Sequence, residues 1–226
     1  MSSKKTALAI VSLGAVLFNA TAAAFVLASY PSFFLQPGSR ALVGGLALTL
    51  AVYAVLAIVI ALQTDGRWRE IRTAALLFGG ITACIEIAGI ATENYTQITS
   101  AALPISLMLT VFTLWGIAGF RVSHRLSSIR FALFTAVIAA GVCMLIAVAA
   151  GFLVQFSLHP PAPRLVQSWA EYKRSGWTDP RAFAIANTLE SAITHLVIAP
   201  FVALVFAGIP ISLHRLLENR TLKTAE

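Results

Sequence analysis

The sequence predicts an all-α protein, a single polytopic transmembrane bundle of six helices with both termini in the cytoplasm. Three observations lead to this prediction: the composition, six long apolar runs, and the distribution of the basic residues. Of the 226 residues, 58% are hydrophobic and 11% are charged, and the mean hydropathy is +0.85. A soluble domain carries about 25% charged residues. The bilayer is therefore the solvent that fits this chain.

Six apolar runs are long enough to cross the bilayer, because a helical span needs about 20 apolar residues. They cover residues 8–30, 41–62, 73–92, 101–120, 131–156 and 183–213. Most of the loops between them are short, so residues 1–226 form one membrane domain. The first run stays apolar beyond the sequence NATAAA, which favours an uncleaved helix over a signal peptide. The sixth run contains Pro200 and Pro210, which predict a tilt or kink.

The basic residues favour one side of the membrane. If the N-terminus lies inside, 11 Lys and Arg residues fall in inner segments and 5 in outer ones. The positive-inside rule then predicts that both termini are cytoplasmic. The net charge of +7 serves this topology and the contact with anionic lipid headgroups, and no basic–aromatic patch points to nucleic acid. We interpret the chain as an integral protein of the bacterial inner (cytoplasmic) membrane.

The outer connection over residues 157–182 is the only extramembrane stretch long enough to hold structure of its own. Four of its residues fall at helical spacing and predict a short amphipathic helix on the outer leaflet: Leu165, Val166, Trp169 and Tyr172. Trp169, Tyr172 and Trp177 are then either an interfacial anchor at headgroup depth or a lid over an outward-facing pocket. The sequence leaves both interpretations open.

The third span carries two glutamates in apolar surroundings. Thr82, Glu86, Gly89 and Glu93 are spaced by four, three and four residues, which places them on one stripe of a helix, and Asn94 follows directly. Charged groups within a bilayer are costly and usually face the bundle interior or a water-filled cavity. The stripe therefore predicts a helix–helix seam or a cavity wall. Glu93 also fits a solvated position near the interface, and Glu86 also fits a neutral hydrogen bond between helices.

The sixth span carries a second polar band in the sequence ANTLESAITH. Its members are Asn187, Glu190, Ser191, Thr194 and His195. At a rise of 1.5 Å per residue, Glu86 lies about 6 Å and His195 about 4 Å outward of the middle of their spans, and Glu93 and Glu190 lie about 16 Å and 12 Å outward. Because the depths match, we predict one acid-lined pocket in the outer half of the bilayer. His195 also fits a core histidine bonded to a neighbouring carbonyl.

Three functions are compatible with such a pocket. In a carrier or solute-binding protein, Glu86 and Glu190 bind a cation or proton, His195 exchanges a proton, and Asn187 and Thr194 orient the solute. In a membrane enzyme acting on a quinone, terpenoid or lipid, the glutamates act as acid and base, and a metal set of Glu86, Glu190 and His195 is an alternative. In an accessory subunit, the polar bands seal against a partner chain or a second copy. No standard catalytic motif is present, so catalytic residues and cofactors are not assigned.

The first span has alanines at positions 20, 24 and 28, a spacing of four that predicts a small-residue face for close helix contact. This face resembles the alanine-spaced first helix of the substrate-binding subunits of energy-coupling-factor vitamin transporters. Those subunits also have six spans, with the binding site in the outer half. The resemblance covers the three alanines alone, so the chain is not assigned to that family.

An internal repeat is a further hypothesis. The third span of each half carries a glutamate, in CIEIA around Glu86 and in TLESA around Glu190. Two halves of three spans each would be inverted relative to one another, as in many transporters. With two identities over five residues, the pattern also fits chance similarity between alanine-rich helices.

Overall fold

The computed structural model describes residues 3–95 and 102–223, and it describes side chains over 7–93 and 102–212. All regular structure in these residues is helical: α1 (Ser3–Ser29), α2 (Ser39–Leu62), α3 (Arg67–Tyr95), α4 (Ala102–Leu126), α5 (Ile129–Leu153), α6 (Pro163–Ser168), α7 (Ala170–Ser175) and α8 (Pro180–Lys223). A 3-10 turn covers Pro31–Leu35 and a π-helical turn covers Val154–Leu158. Six helices are long and apolar enough to cross a membrane, which confirms the predicted fold class. The cytoplasmic position of the termini stays a prediction.

Helix α5 is the centre of the bundle. α1, α3, α4 and α8 pack on it directly, and Tyr53 of α2 reaches it at Gly141. Around it the neighbours follow the order α3, α4, α8, α2, α1 and back to α3. Helices α3 and α8, which carry the two polar bands, are therefore separated on one side by α4. We call the end of the bundle with residues 153–180 the cap end, and the end with the α2–α3 and α4–α5 loops the basic end.

Small residues let the backbones approach closely at the helix crossings. A Cβ atom added at Gly79 of α3 would lie 2.8 Å from the carbonyl oxygen of Ala139 in α5. One added at Gly119 of α4 would lie 2.9 Å from the carbonyl oxygen of Ala132, also in α5. Close backbone packing through small residues is a major source of helix association in membranes. The alanine face of α1 is not used this way: Ala20, Ala24 and Ala28 are exposed, and the predicted contact face is wrong.

Helix α8 continues without a break through Pro200 and Pro210. Proline has no N–H, so each leaves the carbonyl four residues earlier without its helical partner. The Tyr53 hydroxyl of α2 donates to one of these, the Leu196 carbonyl, at 2.7 Å. The other, the Phe206 carbonyl, is approached by Gly116 of α4, where an added Cβ would lie at 2.6 Å. Both prolines thus mark places where a neighbouring helix packs closely on α8.

Arg72 is buried rather than placed in a loop. Its guanidinium donates to the Ile60 and Gln63 carbonyls at 3.2 and 3.0 Å, at the C-terminal end of α2. The last carbonyls of a helix lack partners within it and carry the negative end of the helix dipole. Arg72 is one of the 11 basic residues counted above in the inner segments, and the structure shows that it also caps the C-terminal end of α2.

The two halves of the chain are not packed equivalently. An inverted repeat would make α2 and α5 counterparts. However, 61% of the most apolar stretch of α5 is buried within the bundle, against 17% of that of α2. The short similarity around Glu86 and Glu190 is thus not reflected in the arrangement of the helices.

Candidate functional site

The stripe predicted on α3 faces α4. Thr82 is fully buried, accepts a hydrogen bond from the Trp115 indole N–H at 3.2 Å, and donates to the Phe78 carbonyl at 2.8 Å. A Cβ added at Gly89, two turns further on, would lie 3.6 Å from Leu107 of α4. The part of the stripe around Thr82 is therefore a helix–helix seam.

Glu86 lies one turn beyond Thr82 and is half-buried. It interacts electrostatically with His195 of α8 and with Glu93, and it has no hydrogen bond or ion pair with a side chain that the structure describes. Glu93 is exposed. Only the backbone of Asn94 is described, so the role predicted for its side chain lies outside the described residues. Glu86 is thus a half-buried carboxyl group that interacts with an imidazole ring only through space.

The band on α8 lies on the exposed side of that helix. Leu189, Ala192 and Leu196 form its buried face. The five polar residues are all exposed: Asn187, Glu190, Ser191, Thr194 and His195. At 100° per residue, Asn187, Glu190 and Thr194 lie on the side turned away from α5. They do not point into the bundle, as a single interior pocket would require.

His195 differs from the rest of this band. Phe206 packs on α4 and lies about three whole helical turns after His195. His195 therefore lies on the same side of α8, the side that faces α4. Its Nδ1 atom is 2.7 Å from the Ser191 carbonyl oxygen and 3.3 Å from the Ser191 hydroxyl. Because a carbonyl only accepts, Nδ1 carries a hydrogen in this arrangement. Nε2 is then the atom that can accept a hydrogen bond or take up a second proton.

Helix α4 lies between the two helices that carry Glu86 and His195, and the side chains of its cap-end half are not buried within the bundle. None of its residues 102–110 is buried, whereas Val111, Trp115 and Ala118 are fully buried further along. We call the two titratable groups on either side of this segment the Glu86–His195 pair. Among the predicted site residues, these two influence each other's charge, and the Ser191 carbonyl orients the imidazole. That they form one binding site stays a prediction.

The length of α8 offers an account of its exposed polar residues. Its apolar part, Pro180–Ser212, has 33 residues. At 1.5 Å per residue that is about 50 Å, more than the roughly 30 Å of a hydrocarbon core. The first turns of α8, with Asn187 and Glu190, can therefore lie at headgroup depth.

Residues 159–181 form a folded cap, which contains two short helices instead of the one predicted. The chain turns to an extended conformation at Trp169 (ψ 135°), which separates α6 from α7. Trp169, Tyr172 and Trp177 surround Phe183, with ring centroids 6.5, 5.4 and 5.8 Å away. The cap packs on α8 and, through Trp177, on Phe33 of the Pro31–Leu35 turn. These contacts lie towards α1, α2 and α8, whereas Glu86 lies towards α4.

Asp179 fastens the cap to the bundle, and sequence reasoning missed it. One carboxylate oxygen accepts from the Arg181 and Ala182 amides at 2.9 and 3.2 Å, which makes Asp179 the N-cap of α8. The other accepts from the Tyr30 hydroxyl at 2.7 Å and the Ser32 hydroxyl at 3.4 Å. Burial raises the pKa of Asp179, but these hydrogen bonds outweigh burial and hold the pKa below its usual value. The signal was present in the sequence, because Asp followed by Pro is a typical helix start.

The described residues hold no group of three or more His, Cys, Asp and Glu side chains that could bind a metal ion. The alternative metal set of Glu86, Glu190 and His195 gains no support from this geometry. Comparison with protein-family models, with curated proteins and with solved structures found no match. In the part of the chain that the structure describes, six long helices form a membrane-embedded bundle with α5 at its centre.

Proposed function

We propose that the protein is a membrane carrier or solute-binding protein, and that the Glu86–His195 pair binds a small cation, a proton or a hydrogen-bonding solute. One observation supports this most. Glu86 is a half-buried carboxyl group in an apolar span, without a hydrogen-bonding or ionic partner among the described side chains, and it lies within electrostatic range of an imidazole. A carboxylate in such surroundings requires a counter-charge or a proton.

Either Glu86 or His195 can carry the proton that the pair requires. Without a ligand, a proton on Glu86 or on the His195 ring neutralises the pair. A cation that binds to the Glu86 carboxylate replaces that proton, and neutral His195 then accepts a hydrogen bond at Nε2. Uptake of a cation would therefore release a proton, which is the elementary step of a proton-coupled carrier.

A second candidate function, that of an accessory subunit, is favoured by the other polar residues of α8. Asn187, Glu190 and Thr194 are exposed on the side turned away from α5. A partner membrane chain or a second copy that supplies hydrogen bonds would cover them. Purification from native membrane separates the two functions, since a subunit brings a stoichiometric partner chain and a carrier does not require one.

We expect Glu86→Gln and His195→Ala to have non-additive effects. If the two groups form a pair, the charge state of Glu86 changes the free energy that His195 contributes to folding, and the reverse. Either substitution removes this coupling. The free energies of unfolding of both variants and of the double variant, measured in detergent against pH, should deviate from additivity by more than about 0.5 kcal/mol. Glu190→Gln, which removes an exposed charge from the same helix as His195, is the control and should add to His195→Ala. Additive effects for Glu86 and His195 would show that they do not form a pair.

The proposed topology has its own test. Arg174 in α7 is 76% exposed and offers a labelling position on the cap. If the termini are cytoplasmic, Arg174→Cys in a Cys84→Ser background should react with a membrane-impermeant maleimide in intact cells. Arg69→Cys, at the basic end, should react only after the membrane is opened. The reverse pattern of labelling would mean that both termini lie outside.

A further inference from the structure

We propose that the outward side of α8 binds the same side of a second copy of this chain, so that two copies form a symmetric dimer in the membrane. The residues concerned, which we call the α8 seam, are all exposed: Asn187, Glu190, Thr194, Ile198, Phe201 and Val205. They are spaced by three, four, four, three and four residues, so they lie on one stripe of the helix. His195 lies beside this stripe, towards α4, and the inference does not depend on the Glu86–His195 pair.

The α8 seam lies outside the bundle, between two neighbouring helices. α8 packs on α5 with its opposite side, and on α4 and α2 with its flanks. Phe206 contacts α4 on one flank, and Ile193 lies against α2 on the other. Between these flanks, Ile198, Phe201 and Val205 are 51%, 65% and 58% exposed. α8 therefore projects far enough for a second helix to pack along it.

The polar part of the seam leads from the headgroup side of the bilayer to its middle. The Tyr53 ring would lie 2.9 Å from a Cβ added at Gly141, the middle residue of α5. The Tyr53 hydroxyl donates to the Leu196 carbonyl at 2.7 Å, so Leu196 lies near the middle of the bundle. At 1.5 Å per residue, Thr194 is only about 3 Å from Leu196 along the helix, and Asn187 is about 14 Å from it. Water is scarce at the depth of Thr194, so a polar group there needs a partner in protein.

Thr194 has no such partner in the part of the chain that the structure describes. Thr113, an exposed threonine of α4, donates its hydroxyl hydrogen to the Leu109 carbonyl of its own helix at 2.7 Å. Thr194 makes no equivalent bond, and the side chains of Asn187 and Glu190 form no hydrogen bond or ion pair with the described residues. These three side chains therefore have unused donors and acceptors on one exposed stripe.

The unused groups complement each other across a symmetric pair. Asn187 and Thr194 offer N–H and O–H donors, and Glu190, which lies between them on the seam, offers carboxylate oxygens that accept. Two copies with the same orientation in one membrane, related by a two-fold axis, place the same residues at the same depth. In such a parallel helix pair each residue meets its counterpart and the residues one turn away. Glu190 of one copy then accepts from Asn187 and Thr194 of the other. A chain of different sequence would need its own matching set, whereas a second copy supplies it by symmetry.

Cross-linking tests which face of the bundle is shared. In a Cys84→Ser background, which keeps the buried Cys143, Ile198→Cys puts a thiol on the seam. In oxidised membranes of the expressing cells, where all copies share one orientation, we expect a disulfide-linked product of twice the chain mass. Val52→Cys on α2 and Leu109→Cys on α4, both 49% exposed, are the controls and should stay monomeric. Linkage through a control position but not through Ile198, no linkage at all, or a product with a different chain would overturn the proposal.

The strength of the dimer tests the proposed hydrogen bonds. Energy transfer between donor-labelled and acceptor-labelled copies, diluted with lipid in phosphatidylcholine liposomes, gives the dissociation constant. Asn187→Leu combined with Thr194→Val should raise it at least about tenfold, because hydrogen bonds are lost on both sides of the symmetric seam. Thr113→Val is the matched control, since its hydroxyl is bonded within its own helix, and it should leave the dissociation constant unchanged. Equal effects of the two changes, or a wild-type protein that stays monomeric at the highest density, would show that the α8 seam does not join two copies. If the double variant does not fold, the cross-linking result decides.

Discussion

Replacing Gly79 by alanine is expected to lower the free energy of unfolding by about 1–3 kcal/mol, the usual cost of overpacking. The new Cβ would lie 2.8 Å from the Ala139 carbonyl oxygen and 2.9 Å from the Val142 Cβ atom. Neither α5 atom is the end of a flexible side chain, so α3 and α5 must move apart. Since α5 also packs on α1, α4 and α8, this separation disturbs contacts beyond the crossing itself.

Gly80 is the matched control because it is the next residue of the same helix. A Cβ added there has no other atom within 4 Å. Alanine is favoured over glycine in a helix by roughly 0.5–1 kcal/mol, so Gly80→Ala should be neutral or slightly stabilising. Unfolding in mixed micelles with increasing denaturing detergent measures both variants. Equal effects of the two substitutions would mean that the close approach of α3 and α5 does not limit stability.

The neighbouring glycines also show what the sequence could and could not predict. The membrane class and the six helices follow from length and apolar composition, because a hydrocarbon core sets both. Which helix is central does not follow, because lipid and protein interior are equally apolar. α2 and α5 are both highly apolar, yet one lies at the periphery and the other at the centre. Likewise, spacing cannot tell Gly79 from Gly80, because the difference depends on where α5 lies.

The polar bands were predictable in part. Helical spacing placed Glu86 and Thr82 on one stripe of α3, and matching depth linked Glu86 with His195, which the structure brings within electrostatic range. Spacing alone could not orient α8. Asn187, Glu190 and Thr194 share a side of that helix, but the buried face is set by Leu189 and Leu196, which pack in the core around α5. In a membrane helix, an apolar face can contact either lipid or protein. The sequence therefore could not show whether the polar side of α8 faces the bundle interior or the outside.

The second large effect is expected at Asp179. Asp179→Ala removes the N-cap of α8, which costs about 1 kcal/mol. It also removes the hydrogen bonds that Tyr30 and Ser32 donate to the charged carboxylate, each contributing up to roughly 1.5–3 kcal/mol. The cap should then open more often. Trypsin can report this through Arg164, Lys173 and Arg174, all exposed in the cap. We expect cleavage there to be at least about tenfold faster, because a loss of 1.4 kcal/mol is a factor of ten in the open population.

Asp179→Asn distinguishes the role of the side chain as N-cap of α8 from the role of its negative charge. Asparagine is about as good an N-cap as aspartate, so its side-chain oxygen can still accept from the Arg181 and Ala182 amides. It loses the ionised acceptor for the Tyr30 hydroxyl. We expect cleavage at a rate between those of the wild type and Asp179→Ala. Glu171→Ala is the control, since Glu171 is exposed and makes only a long ion pair with Arg174, at 3.8 Å.

The lowered pKa of Asp179 gives this cluster a defined response to acid. A carboxyl group with a depressed pKa in the folded state contributes stability that is fully present above its unfolded value, about 3.9. That stability is lost as the pH falls through the folded pKa, because the unfolded chain takes up the proton first. In the wild type, the Tm should therefore fall more steeply below about pH 4 than it does in Asp179→Asn, which has no proton to gain. If both proteins lose stability in parallel over this range, Asp179 is not the group that ties the cap to the bundle.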